Sequence, residues 1–439
     1  MDKYHAAGAV PAERITSCDD PGLRAALHDP AFVASRRVGV EIEFVAFEQA
    51  SGKSPGQAGS ANGPGAMLEW LAQEIGPEAR LLREPQTGWP AILELTNGGR
   101  FSLENGGQLE YASTPQPGLD AVADELTAAL RWCEGAAAGR LAFLSHGTHP
   151  TLEARLDPVV PNARFLVMER YFAPESIHRW GNYTCALQVN LDVPPDVDWQ
   201  AATVMGFELS RFTHAMFANS AFLHGERATG PSARLALSAL VDPKRRAVPA
   251  AVIAAPDLAT AFKDWALDVD VLFVGDLPVD ALPRRGELTF RRWIEEGFRG
   301  TWPDLKAWTR HLGTLWPDVR PRRFIELRAA DAQPFEHVMA VVAFWRALIQ
   351  VPAGLAAARA YMDGPGALAD VADPAAHDAL LALAAEALRG TEEAGWAAAI
   401  EAYRAFRVER ERGWEGLGAE AFVAAATTTT PAAALRRVR

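Results

Sequence analysis

The stretch AILELTNGGRFSLENGGQLEYAS, residues 91–113, decides the fold class. Its short apolar runs are separated by Asn97-Gly98-Gly99 and Asn105-Gly106-Gly107. Asn-Gly supplies the left-handed backbone conformations that tight hairpins require, so the stretch predicts a meander of three antiparallel strands. Working outward, residues 37–47, 140–145, 183–192, 269–274 and 323–328 read as further strands. Residues 21–27, 66–75, 119–134, 165–171, 199–218, 258–266 and 303–315 read as helices. From Pro334 onward the chain reads as helical, over 334–349 and then through Ala-rich segments to about residue 412. Residues 50–65 read as a loop, and the threonine run 427–430 with Pro431 and the alanines after it as a frayed tail. Strands do not alternate regularly with helices. The fold class is therefore α+β with an antiparallel sheet, rather than a doubly wound parallel one. There is no internal repeat and no linker long enough to force a domain boundary.

Three of the strand segments carry polar residues two positions apart: Glu41 and Glu43, Gln188 and Asn190, Glu326 and Arg328. Residues two apart on a strand point to the same face. The 102–111 turn adds Glu104 and Glu110. One such pair alone reads best as the wet face of an open sheet. Four segments of matching chemistry read instead as one site. Burying so many acids is costly unless a cation neutralises them, and adjacent carboxylates repel. The pattern therefore asks for Mg²⁺, a hard cation that shares oxygen ligands with phosphates, and hence for a nucleotide. Gln188 and Asn190 are neutral and suit either positioning of the groups beside them or hydrogen bonds to substrate, and Arg328 suits a phosphate in transfer.

Composition narrows the function classes. A hydrophobic fraction of 49% with 22% charged residues is that of a soluble globular chain. A net charge of −12 argues against general nucleic-acid binding, which needs a basic face. No run is long enough to span a bilayer and the first residues lack a secretory pattern. Cys18, Cys133 and Cys185 are few and unclustered, which fits a reducing cytoplasm. No Gly-x-Gly-x-x-Gly or P-loop motif appears. His146 and His149 read as strand-end histidines rather than metal ligands, and Asp268 with Asp270 as a strand-rim feature.

In their order, GVEIE (39–43), SLENGGQLE (102–110), TCALQVNLD (184–192), ANS (218–220), ALDV (266–269), LTFR (288–291) and FIELRAAD (324–331) resemble the glutamate–cysteine ligases of the plant and proteobacterial type. The ergothioneine-pathway ligase of actinobacteria is a close relative of that family. The resemblance covers roughly residues 36–350. It implies a six-stranded antiparallel sheet curved into a funnel, as in glutamine synthetase-like ligases. It implies ATP-dependent activation of the glutamate γ-carboxylate, with cysteine as acceptor. It assigns Glu41, Glu43, Glu104, Glu110 and Glu326 to the metals and Arg328 to the transferring phosphoryl group. It assigns Arg234 to the glutamate α-carboxylate and Arg164 to another substrate contact. Where the family usually carries an aromatic-bearing segment, this chain has Leu235-Ala236-Leu237-Ser238-Ala239-Leu240. Another acceptor amine, or a non-catalytic binding protein of the same fold, stay open beside cysteine. The expected organisation is an extension at 1–35, a catalytic domain at 36–350 and a helical region at 351–439 packed on it. The expected setting is a cytoplasmic monomer or homodimer with small-molecule partners only.

Overall fold

The computed structural model describes residues 13–29, 31, 35–55, 63–85, 87–151, 160–172, 181–230, 232–275, 277–413, 417–427 and 430–436. Parts of the expected 50–65 loop and of the threonine run lie outside the described residues, as do residues 1–12, 30 and 32–34 of the expected 1–35 extension.

The centre is an antiparallel sheet. In chain order its strands are β1 (Val38–Glu48), β2 (Ala79–Arg83), β3 (Pro90–Leu95), β4 (Arg100–Leu103), β5 (Leu109–Ala112), β6 (Leu141–Leu144) and β7 (Ala186–Asp192). Two strands follow as a small separate hairpin, β8 (Phe222–Leu223) and β9 (Glu226–Arg227), and then come β10 (Val319–Pro321) and β11 (Phe324–Asp331). The strands lie in the order β10-β11-β7-β1-β5-β4-β3-β2, and β6 pairs with the far half of β1. The meander read from residues 91–113 is β3-β4-β5.

Among the described residues the sheet has nine strands, not the six that the resemblance implies. The edge strands are β10 and β2, and β6 is added where β1 outruns its other neighbours. Pro321 in β10 is tolerated because an edge strand needs no donor on its outer side.

One face of the sheet is a continuous apolar layer. Ile42 stands opposite Leu187 and Tyr111, Val40 opposite Val189, Leu327 opposite Val189, and Phe101 opposite Tyr111. All of these are buried. The helices Leu119–Ala137, Trp199–Met216 and Val338–Trp345 pack over this face, against β1, β11 and β7 respectively. Every residue of Val338–Trp345 is buried, as its uniformly apolar sequence requires. Helices Pro352–Met362, Pro374–Arg389 and Ala397–Gly413 extend the same core.

Two expectations fail. Residues 269–274 form no strand and make only a single bridge, Asp270 to Thr289. Val269, Val271, Leu272 and Val274 are buried in the core all the same, with Phe273 partly buried against it. The expected frayed tail contains the helix Pro431–Arg436, with Ala432, Ala434 and Leu435 buried. It lies against Leu119–Ala137, and the Ala432 N–H donates to Glu134 Oε1 at 2.6 Å. Small alanines let two helices approach closely, so a segment with little periodic signal still gains a packed face. Among the described residues no single helix is long and apolar enough to cross a membrane.

Candidate functional site

The opposite face of the central strands carries the polar residues. Residues directly across a sheet share a face, and the register makes one field of them. Arg320, Glu326, Asn190 and Gly39 form one line across β10, β11, β7 and β1. Gln188 stands opposite Glu41 in the next, and Glu43, Glu110 and Ser102 form a third. Five of the six side chains that period-two alternation singles out on β1, β7 and β11 are at most 7% exposed. The sixth, Arg328, is half-buried.

At one end of this field three carboxylates converge. Glu43, Glu104 and Glu110 each present an oxygen within 4.8 Å of the others. Glu43 Oε2 accepts from the Ala186 N–H at 2.7 Å and its Oε1 from the Gln188 amide at 2.9 Å. Glu110 accepts from the Ser102 hydroxyl at 2.9 Å. Glu104 is brought in by its turn. Asn105 donates to Asn182 Oδ1 at 2.6 Å, and Gln108 donates to the carbonyls of Thr184 at 2.9 Å and Gly181 at 3.1 Å. A Cβ on Gly106 would lie 2.1 Å from the Asn182 carbonyl oxygen, so only glycine allows this approach. Three hard oxygen donors crowded in a largely buried setting fit a small divalent cation such as Mg²⁺. Glu41 is buried beside them but is not one of the converging three.

The other end is cationic. Arg320 forks onto Glu326, Nε to Oε2 at 2.8 Å and Nη2 to Oε1 at 2.5 Å, and Arg328 also donates to Oε1. Arg322 Nε lies 3.8 Å from Glu326 Oε2. Burial alone would raise the Glu326 pKa, but Arg320, Arg328 and Arg322 outweigh it and hold the carboxyl well below the usual range. Burial pulls Arg320 down to about 9. The resemblance assigns Glu326 to a metal; here it stands in a guanidinium cluster, apart from the converging three carboxylates. Gln188 links the two ends, since its amide donates to Glu43 and its carbonyl accepts from Arg328.

Arg234 sits in the helix Ala233–Ser238, where Nε donates to Asp331 Oδ1 at 2.8 Å and Nη2 to the Ala329 carbonyl at 2.8 Å. Asp331 also accepts from the Asn219 N–H, Ser220 Oγ and Ser232 Oγ. In this structure Arg234 thus braces the end of β11 just past Arg328. Arg164 is exposed in the first turn of the helix Ala163–Tyr171, off the sheet. The field also turns apolar past Glu43. Val45 and Phe47 pack with Cys185 and Phe222, and with Phe422 and Val423 of the helix Ala419–Ala426.

Residues outside the field have partners of their own, and Asp268 and Asp270 rim no strand. His146 is fully buried, with Nδ1 bonded to the Thr148 carbonyl at 2.7 Å and Nε2 accepting from the Ala221 N–H. Asp268 pairs with Arg291, and Asp270 accepts from the Tyr171 hydroxyl. Arg320 escaped the sequence reading. Its signal was faint, a valine-arginine-proline run six residues before Glu326 with no Gly or Asn to mark a hairpin.

The family model described as glutamate-cysteine ligase family 2 matches residues 37–409. The chain is 30% identical over 267 residues to the chloroplastic glutamate–cysteine ligase of Medicago truncatula, covering 58% of this chain and 51% of that protein. It is 28% identical over 267 residues to the Arabidopsis thaliana counterpart, covering 59% and 50%. The chain thus spans about half the length of the curated relatives it matches. The crystal structure of the glutamate–cysteine ligase of Francisella tularensis in complex with AMP superimposes with a TM-score of 0.51 at 12% identity, covering 93% of this chain and 92% of that one. That likeness is one of fold.

Proposed function

The chain belongs to the glutamate–cysteine ligase family 2, and from that premise we propose that it joins the glutamate γ-carboxylate to the amine of cysteine at the expense of ATP. The products are γ-glutamylcysteine, ADP and phosphate. One observation carries the reading: a three-carboxylate cluster and an arginine cluster lie on one sheet face, joined through the Gln188 amide.

In the first step a γ-carboxylate oxygen of glutamate attacks the terminal phosphorus of ATP and ADP leaves, giving an acyl phosphate. In the second the amine attacks the acyl carbon, phosphate leaves and the nitrogen gives up a proton. Such transfers need little covalent chemistry from the protein, only position and charge neutralisation. Glu43, Glu104 and Glu110 would hold Mg²⁺, with Glu41 beside them, and the ion so held would neutralise phosphate charge. Arg328 faces the transferring group, and Gln188 orients it through Oε1. Glu326 and Arg320 hold the Arg328 guanidinium in place. Arg234 and Asp331 frame the wall beside the glutamate, and Arg164 remains a candidate for a contact made with substrate bound. Residues 36–350 carry the chemistry, and the helices after 350 support it.

Cysteine is the first acceptor on family grounds, in a glutathione- or ergothioneine-type pathway. A reducing cytoplasm is supported by the three cysteines, all free thiols. The test is phosphate release with ATP, glutamate and a panel of amines. Release that needs both glutamate and cysteine is expected. No glutamate-dependent release with any amine would overturn the reading, and release with another amine alone would reassign the acceptor.

A further inference from the structure

The cationic end of the field holds a buried side chain with nothing to meet. Asn190 is 5% exposed, and neither its amide nitrogen nor its amide oxygen has a hydrogen-bond partner. Its neighbours across the sheet are Glu326, already engaged by Arg320 and Arg328, and Gly39, which has no side chain to offer. Buried polar groups are paired in nearly all folded proteins, because an unmade hydrogen bond costs the full desolvation of the group. Arg322 adds a third such atom: its Nε is buried without a hydrogen-bond partner, 3.8 Å from Glu326 Oε2. Three guanidiniums here face the single carboxylate of Glu326.

The two ends of the field differ in what they can accept. Past Glu43 the face is closed by the Asp331–Arg234 network and by the apolar cluster around Phe222 and Phe422. The other end has surplus positive charge and an amide with both a donor and an acceptor to give. A phosphate only accepts hydrogen bonds, whereas a hydroxyl both donates and accepts. Asn190 lies on the strand next to Arg328, level with Glu326 two residues before it, about 7 Å along the strand. That gap suits phosphates that are not transferred, with the sugar beyond them.

We propose that Asn190 hydrogen-bonds the ribose hydroxyls of the nucleotide and that Arg322 meets the adjoining phosphates, so that the nucleotide lies along β7 and β11 with its terminal phosphate at Arg328. The proposal rests on the ligase reading above, but its test is a binding measurement that stands apart from turnover. Calorimetric titration of the full chain with ADP, 2′-deoxy-ADP and 3′-deoxy-ADP, in the presence of Mg²⁺, reads it directly. The wild-type chain is expected to bind at least one deoxy form about tenfold more weakly than ADP. Asn190→Ala should lower ADP affinity by a similar factor and bring the three ligands level. Arg322→Gln should weaken ADP while keeping the wild-type ratio between ADP and its deoxy forms. Equal binding of all three ligands by the wild-type chain overturns the proposal without recourse to a variant. So does a ribose preference that survives in Asn190→Ala, or a rise in KM for glutamate with that for ATP unchanged. If the ligase reading alone is wrong, phosphate release fails while the ribose preference and its loss in Asn190→Ala persist.

Discussion

Glu326 and Glu104 are both acids of the polar field, yet their surroundings make opposite demands. Glu326 is buried and matched by arginines, so each partner depends on the other. Arg320→Met is expected to cost about 3 kcal/mol in urea unfolding, because it removes the forked partner of a buried carboxylate. Glu104 instead converges with Glu43 and Glu110, their oxygens within 4.8 Å of one another. Glu104→Gln removes one of three hard oxygen donors and is expected to lower Mg²⁺ affinity in a calorimetric titration. It should also shrink the rise in melting temperature that Mg²⁺ produces in the wild-type chain. The candidate acids were legible in the sequence because a strand repeats every two residues, so alternation alone names a face. Which acid meets an arginine and which meets another acid was not legible. Arg320 reaches Glu326 only through the pairing of β10 with β11.

Among the elements, the turn from Leu103 to Leu109 carries the most consequence per residue. Its two glycines do different work: Gly107 adopts φ 87°, and Gly106 leaves room for the Asn182 backbone. Gly106→Ala is expected to destabilise the chain by about 1–3 kcal/mol, since the added methyl meets backbone rather than a flexible side chain. It should also weaken Mg²⁺ binding, because the turn that presents Glu104 must move; titration of Mg²⁺ against thermal stability checks both. The turn was readable from Asn-Gly-Gly. Its docking partner was not, since Asn182 lies 77 residues from Asn105. The same limit explains the misread elements. Residues 269–274 have a strand's composition but pair with the 288–290 segment through only a single bridge, and Pro431–Arg436 is a weak helix by sequence that packing against Leu119–Ala137 secures.

At the scale of the whole molecule, burial of histidines ties stability to pH. Burial lowers His146 to about 4, His311 to about 3 and His337 to about 4. An unfolded chain binds protons on these rings near pH 6.5, whereas the folded chain keeps them neutral well below that. Their contribution is therefore present above pH 6.5 and is lost as pH falls from there towards 4, on the order of 3 kcal/mol for one ring. Denaturant midpoints should fall over that window, and His146→Gln should flatten the fall if it folds; a midpoint constant from pH 7 to 4.5 would refute the account. By itself the sequence determined the class of fold, the β3-β4-β5 meander, most helices and the acids and amides of one sheet face. These follow from local geometry, in which backbone period and turn chemistry act over a few residues. Tertiary structure alone decided that Glu43, Glu104 and Glu110 converge, that Glu326 joins arginines, and that Asn190 is left without a partner. Those outcomes depend on strand order and register, which bring together residues tens to hundreds of positions apart, and no local pattern encodes such distances.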